Sequence, residues 1–233
     1  MKTIAILSRK GGVGKTVLAV HLAVAAESDG LATAVFDLDP QASSAMWGDH
    51  RGEPAPAVVA AQAPRLPGLL RQALTGGADL VILDTPPSAD STAADAGAAA
   101  DVILIPCRPS AFDLDAIGAS IRIARVAGRP AWVVINAAPS QGVEVSETRA
   151  ALESAGVNVC PVVLHQRKAY SSRAHEGRTA MEHEPHGKAA AEIRSLLAWL
   201  LEVIGLPAEQ DGGVDCVPGN VVAGCPVSEV AHA

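Results

Sequence analysis

Short apolar runs recur along the chain at residues 4–8, 32–36, 80–83, 101–106, 131–136 and 158–164, each fitting a buried strand in length and composition. The segments between them include stretches with helical spacing, at 16–26, 113–127 and 146–154. Near the end, Ile193, Leu196, Leu197, Leu200, Leu201 and Ile204 form one apolar stripe at helical spacing, a core-packing face. Strand and helix therefore alternate. This predicts an α/β fold with a doubly wound, mostly parallel sheet, helices on both faces and right-handed crossovers. Residues 49–67 depart from the pattern: they are rich in proline and alanine, with room for a short strand around Val58 and Val59. They read as a surface excursion before a helix leading to Leu74. At 233 residues, 49% hydrophobic and 3% aromatic, the chain suits one domain with an aliphatic core. The expected domain is 1–204. The tail, 205–233, has no Lys or Arg and reads as poorly ordered.

The turn between the first strand and the first helix carries the chemistry. Arg9-Lys10-Gly11-Gly12-Val13-Gly14-Lys15-Thr16 places three glycines ahead of a lysine and a threonine at the helix start. Glycines without Cβ, free to take positive φ, let successive backbone N–H groups wrap a polyphosphate at a helix N-terminus. Lys15 is positioned to reach the β- and γ-phosphates, and Thr16 to offer its hydroxyl to Mg²⁺. The strict phosphate-loop pattern asks for glycine at position 9, where this chain has arginine.

Two further strands end in carboxylates, at the sheet edge where parallel sheets bind ligands. Residues 32–36 lead into Asp37-Leu38-Asp39-Pro40-Gln41, and alternation would turn Asp37 and Asp39 to one side. Residues 80–83 deliver Asp84, followed at once by Thr85-Pro86-Pro87, the arrangement that holds Mg²⁺ through a water in phosphate-loop enzymes. Asn136 closes another strand where a base would lie.

From Lys10 to Thr16 the chain resembles the deviant Walker A family of P-loop ATPases, which includes the ParA partition proteins and the MinD regulators, through its K-G-G-x-G-K-[ST] signature. The resemblance implies ATP/ADP and Mg²⁺ as cofactors, and an ATP-bound homodimer in which Lys10 contacts the partner's nucleotide. It implies Lys10, Lys15 and Asp39 as catalytic groups, with Asp39 positioning the attacking water. The nucleotide would be bound by Lys10, Gly11, Gly12, Val13, Gly14, Lys15, Thr16 and Asn136, and the metal by Thr16, Asp37 and Asp84.

Looser similarity continues through Gln166-Arg167-Lys168-Ala169-Tyr170, Gly177-Arg178-Thr179 and Ala189-Ala190-Ala191-Glu192-Ile193, as in small ParA-type partition ATPases without an N-terminal helix-turn-helix. This implies an ATPase that binds DNA non-specifically, associates with the nucleoid, and is stimulated by a ParB-like partner. A nucleotide switch acting only through protein partners, MinD-like or compartment-positioning, shares the same nucleotide site. A small-molecule amidoligase of the dethiobiotin synthetase kind shares the fold but gives Lys10 no purpose.

Charge narrows the DNA reading without removing it. The net charge is −7, and the four acids of the tail leave −3 on the remainder. Arg167, Lys168, Arg173 and Arg178, against the single acid Glu176, form the expected DNA-binding cluster. Arg122, Arg125 and Arg129 form a second set at helical spacing. Cys107, Cys160, Cys216 and Cys225 have no spacing for zinc, a disulfide framework or an iron–sulfur cluster. No run is long enough to span a bilayer, and the tail lacks a basic amphipathic helix, so the expected location is cytoplasmic and without membrane contact.

Overall fold

The computed structural model describes residues 1–87 and 90–206, and the side chains of residues 90 and 111–116 stay outside the description. Seven parallel strands form one sheet: β1 (Lys2–Ile6), β2 (Thr33–Asp37), β3 (Ala57–Ala60), β4 (Leu80–Asp84), β5 (Val102–Cys107), β6 (Ala131–Ala138) and β7 (Val159–His165). Their order is β3-β2-β4-β1-β5-β6-β7. The strands at its centre are buried throughout, which is why they read as continuous apolar runs.

The helices are α1 (Lys15–Ser28), α2 (Ser43–Arg51), α3 (Leu66–Thr75), α4 (Asp90–Ala99), α5 (Ala111–Ala127), α6 (Glu144–Ser154), α7 (Ala180–His183) and α8 (Lys188–Ile204). Two apolar cores result, one on each face of the sheet. The first joins Ile4, Ile6, Leu18, Leu22, Val35 and Ile82 to the α8 stripe, every member of which is buried. The second joins Ala5, Leu7, Phe36, Val81 and Ile103 to Ala96 of α4 and Leu152 of α6. The expected doubly wound α/β fold is the observed one.

The excursion at 49–67 is corrected at its start, where the first residues complete α2. The short strand expected around Val58 and Val59 is present: Ala57–Ala60 pairs in parallel with β2 from Ala34↔Ala57 to Asp37↔Ala60 as the edge strand β3. The arginine triplet is corrected too. α5 ends at Ala127, so Arg129 lies beyond the helix and donates to the Ala98 carbonyl at 3.1 Å. The expected tail falls, from residue 207 onward, outside the described residues, with Cys216 and Cys225. Cys107 and Cys160 are buried. Among the described residues no helix is long and apolar enough to cross a membrane.

Register sets up the site. Ile6 of β1 and Asp37 of β2 both pair with Asp84 of β4, so three strands end level with one another. The loop after β1 therefore rises beside two carboxylates.

Candidate nucleotide site

The turn from β1 into α1 is built by its glycines. Gly12 and Gly14 have φ of 72° and 94°, a region that penalises side chains, and a Cβ at Gly14 would meet Asn136 Nδ2 at 2.5 Å. Around Gly11 and Gly12 an added Cβ would meet nothing within 4 Å, so the loop's outer side is open. The first turn of α1 carries no acidic residue, which leaves its positive end for an anion. Asn136 donates from Nδ2 to the Val13 carbonyl at 2.7 Å and pins the loop from β6.

Lys15 is buried, and its ammonium donates to the Lys10 carbonyl at 3.4 Å. Burial pulls its pKa down, while Asp84 and Asp39 push it back up. The two carboxylates thus favour the charged form of the ammonium at the loop. Lys10 stands at the rim, half-buried, with its backbone N–H on Ser8 Oγ at 3.3 Å.

Asp84 is the focus of the acidic side. It is 1% exposed, and one oxygen, Oδ2, accepts the hydroxyls of Thr16 at 2.7 Å and Ser44 at 2.8 Å. The other, Oδ1, is buried with no hydrogen-bond partner. Burial raises its pKa to about 6; the two hydroxyls lower it, Asp37 raises it and Lys15 lowers it. A buried carboxylate oxygen without a partner, beside a threonine hydroxyl and a lysine, suits a hard cation with oxygen ligands. The residues therefore fit Mg²⁺, with Thr16 and Asp84 as the groups that would hold it. Bound there, the ion would neutralise charge on the β- and γ-phosphates.

Asp37 and Asp39 differ in burial and in partners. β2 ends at Asp37, which is buried, and its oxygens accept backbone N–H groups from Asp39 at 3.0 Å and Ala45 at 3.0 Å. Desolvation raises its pKa against the pull of the N–H groups of Ala45, Asp39 and Ser44. Asp37, expected on the metal, fixes the loop and the start of α2. Asp39 is less buried and accepts the Gln41 N–H at 2.9 Å, within the field of Lys15.

Two participants escaped the sequence reading. Ser44, from α2, shares Asp84 Oδ2 with Thr16. Arg108, just beyond β5, lays its guanidinium on the Gly12 carbonyl. Neither belongs to a recognisable spacing. Only the level strand ends and the approach of α2 reveal them.

Within the expected DNA cluster, two of the four cations have acidic partners. Arg167 donates from Nε at 3.0 Å and Nη2 at 2.6 Å to Glu192 Oε1, which also takes His165 Nδ1 at 2.8 Å, while Tyr170 OH donates to Oε2 at 2.8 Å. Burial pushes the Glu192 carboxyl up, but these donors outweigh it and hold its pKa below the ordinary value. Arg173 pairs with Glu176 at 2.6 Å. Lys168 and Arg178 remain exposed. Two of the four cations thus have their charge matched locally.

Comparison with known proteins decides the family. The family model described as the CobQ/CobB/MinD/ParA nucleotide binding domain matches residues 4–180. The chain belongs to this family. It is 34% identical over 199 residues to the maintenance of carboxysome distribution protein A of Gloeobacter kilaueensis, covering 83% of this chain and 89% of that protein. It is 31% identical over 146 residues to the chromosome-partitioning ATPase Soj of Thermus thermophilus, covering 50% of this chain and 59% of that protein. The fold is shared with MinD of Pyrococcus horikoshii in complex with Mg-ADP, at a TM-score of 0.68 and 20% identity over 90% of this chain and 99% of that one. It is also shared with an ATP complex of a Cyanothece McdA variant, at a TM-score of 0.68 and 18% identity over 89% of this chain and 97% of that one.

Proposed function

We propose that this chain is a positioning ATPase: it binds ATP and Mg²⁺, pairs with a second copy, and distributes a cargo through a protein adaptor until hydrolysis resets it. The observation that carries the reading is the Asp84 junction, where Thr16 of the phosphate loop and Ser44 of α2 share one carboxylate oxygen. A change at the metal would be felt at once by α2, as a nucleotide switch requires. In the reaction, Lys15 would hold the phosphates and Lys10 would reach the partner's nucleotide. Asp39 would orient the attacking water. The similarity to carboxysome distribution proteins over most of the chain supports a protein cargo.

A second reading keeps DNA as the matrix, with a ParB-like partner. It is supported by the similarity to Soj and ParA and by the exposure of Lys168 and Arg178. The test is light scattering and phosphate release with Mg-ATP, followed by duplex DNA binding across a salt series. ATP-dependent dimers with slow turnover support the switch, and failure of both removes it. Salt-sensitive DNA binding that weakens in Lys168→Ala and Arg178→Ala proteins selects the second reading.

A further inference from the structure

Two side chains that belong neither to the glycine loop nor to α1 hold consecutive carbonyls of that loop. Asn136, on β6, donates from Nδ2 to the Val13 carbonyl at 2.7 Å. Arg108, one residue past the end of β5, donates from Nη2 to the Gly12 carbonyl. Packing does not fix that second peptide, because a Cβ added at Gly12 would meet nothing within 4 Å. From the same strand–helix unit as Arg108, the buried Ser120 of α5 accepts the Arg9 N–H at 3.4 Å. The loop is thus tied to β5 and α5 at two points.

A trans peptide is planar, with its C=O and N–H pointing in opposite directions. Drawing the Gly12 carbonyl toward Arg108 therefore turns the Val13 N–H away from Arg108, and drawing the Val13 carbonyl toward Asn136 turns the Gly14 N–H away from Asn136. Gly12 and Gly14, at φ of 72° and 94°, are the residues whose freedom would otherwise let these peptides flip. A flipped peptide offers a phosphate a carbonyl oxygen in place of a donor. A loop that wraps a polyphosphate needs its donors aligned in advance.

We infer that Arg108 is a positioning residue of the nucleotide site: its hydrogen bond to Gly12 locks the Gly12–Val13 peptide with the Val13 N–H facing the phosphates. It acts through the loop and needs no contact with nucleotide. The inference rests on the nucleotide reading given above. Because loop amides cradle the α- and β-phosphates, ADP feels the loss of this lock as ATP does.

The test is Mg-ADP affinity by calorimetry for the full-chain wild type, Arg108→Ala and Arg108→Lys, with the Gly12 carbonyl carbon resonance read in the nucleotide-free proteins. Arg108 is exposed, so both replacements spare the core, and lysine keeps a long side chain ending in a donor. Arg108→Ala should bind Mg-ADP about fivefold or more weakly, and its Gly12 resonance should move upfield as the carbonyl loses a donor. Arg108→Lys should restore both. Equal Mg-ADP affinity in Arg108→Ala and wild type overturns the inference and leaves the nucleotide site standing. An affinity loss that vanishes by about 0.5 M salt, with the resonance unmoved, also overturns it and makes Arg108 a screened charge near the loop. A wild type that binds no Mg-ADP removes the nucleotide reading itself, and the inference with it.

Discussion

His21 makes the stability of this protein depend on pH in a way that can be worked out from its surroundings. The ring is 1% exposed, and its two hydrogen bonds, to the Val17 carbonyl and from the Ala180 N–H, require the neutral tautomer with the proton on Nδ1. Burial therefore drives its pKa down to about 4; the Val17 carbonyl and Glu182 resist, and His183 adds to the fall. In the unfolded chain the ring titrates near its ordinary value of 6.5. The folded pKa lies below the unfolded one, so on acidification the unfolded state takes up the proton first. The contribution is fully present above about pH 6.5 and is lost as pH falls toward 4. At pH 5.0 the unfolded state has gained about 2 kcal/mol from protonation and the folded state almost nothing. For a domain of this size that is about 4–8 °C in Tm. The assay is urea denaturation of wild type and His21→Gln at pH 7.5 and 5.0. His21→Gln should be the weaker protein at pH 7.5, through lost packing. The gap should close or reverse by about 2 kcal/mol at pH 5.0, with the other histidines cancelling in the difference. A gap that stays constant within about 0.5 kcal/mol would refute the reasoning, because no buried neutral ring could then be charged at that cost.

The remaining expectations concern the nucleotide site and its neighbour. Lys15→Ala should lose ATP affinity itself, measured by calorimetry, whereas Lys10→Ala should bind ATP normally and fail to dimerise by light scattering. Dimers of Lys10→Ala with normal turnover would remove the trans contact. Asp39→Ala should bind ATP and accumulate as an ATP-loaded dimer with phosphate release down at least about a hundredfold, and persisting turnover would assign the water to another group. Glu192→Gln keeps the side chain's shape while removing the charge that Arg167 and His165 share. It should cost about 1–2 kcal/mol in urea unfolding and leave ATP affinity unchanged. An unchanged midpoint would mean that this junction carries no net stability.

The legible part of the fold was the part in which one residue reports its own environment. Buried parallel strands are apolar on both faces, so β1, β4 and β5 stand out without knowledge of their neighbours. Lys15 and Asp84 stood out because a glycine turn and a strand end each leave a local mark. β3 and α2 were harder to see. Only Ser44 and Trp47 of α2 are buried, which is too few for a stripe, and β3 is four residues long behind a proline-rich approach. The partners of the charge cluster at 167–178 were illegible for the complementary reason. A sequence window sees Arg167 and its near neighbours, but the acid that occupies it is Glu192, 25 residues away on α8. Ser44 is the same case at the site, since its hydroxyl gains meaning only when α2 meets β4, 40 residues on.

Those hidden pairings explain how a local event at a phosphate could reach a distant surface. Asp37 holds the Asp39 N–H through one oxygen and the Ala45 N–H through the other, so the segment between them is clamped at both ends by one buried side chain. Within it, Ala42 takes φ of 52° and ψ of 38°, a left-handed conformation that costs a non-glycine residue about 1–2 kcal/mol. Asp39 lies at one end of it. At the other, α2 carries Ser44 to Asp84 and Met46 and Trp47 to a cavity beside Thr16. Under the switch proposed above, a γ-phosphate that displaced Ser44 from Asp84 would act on α2 directly. Coupling through one short helix needs no pathway across either core.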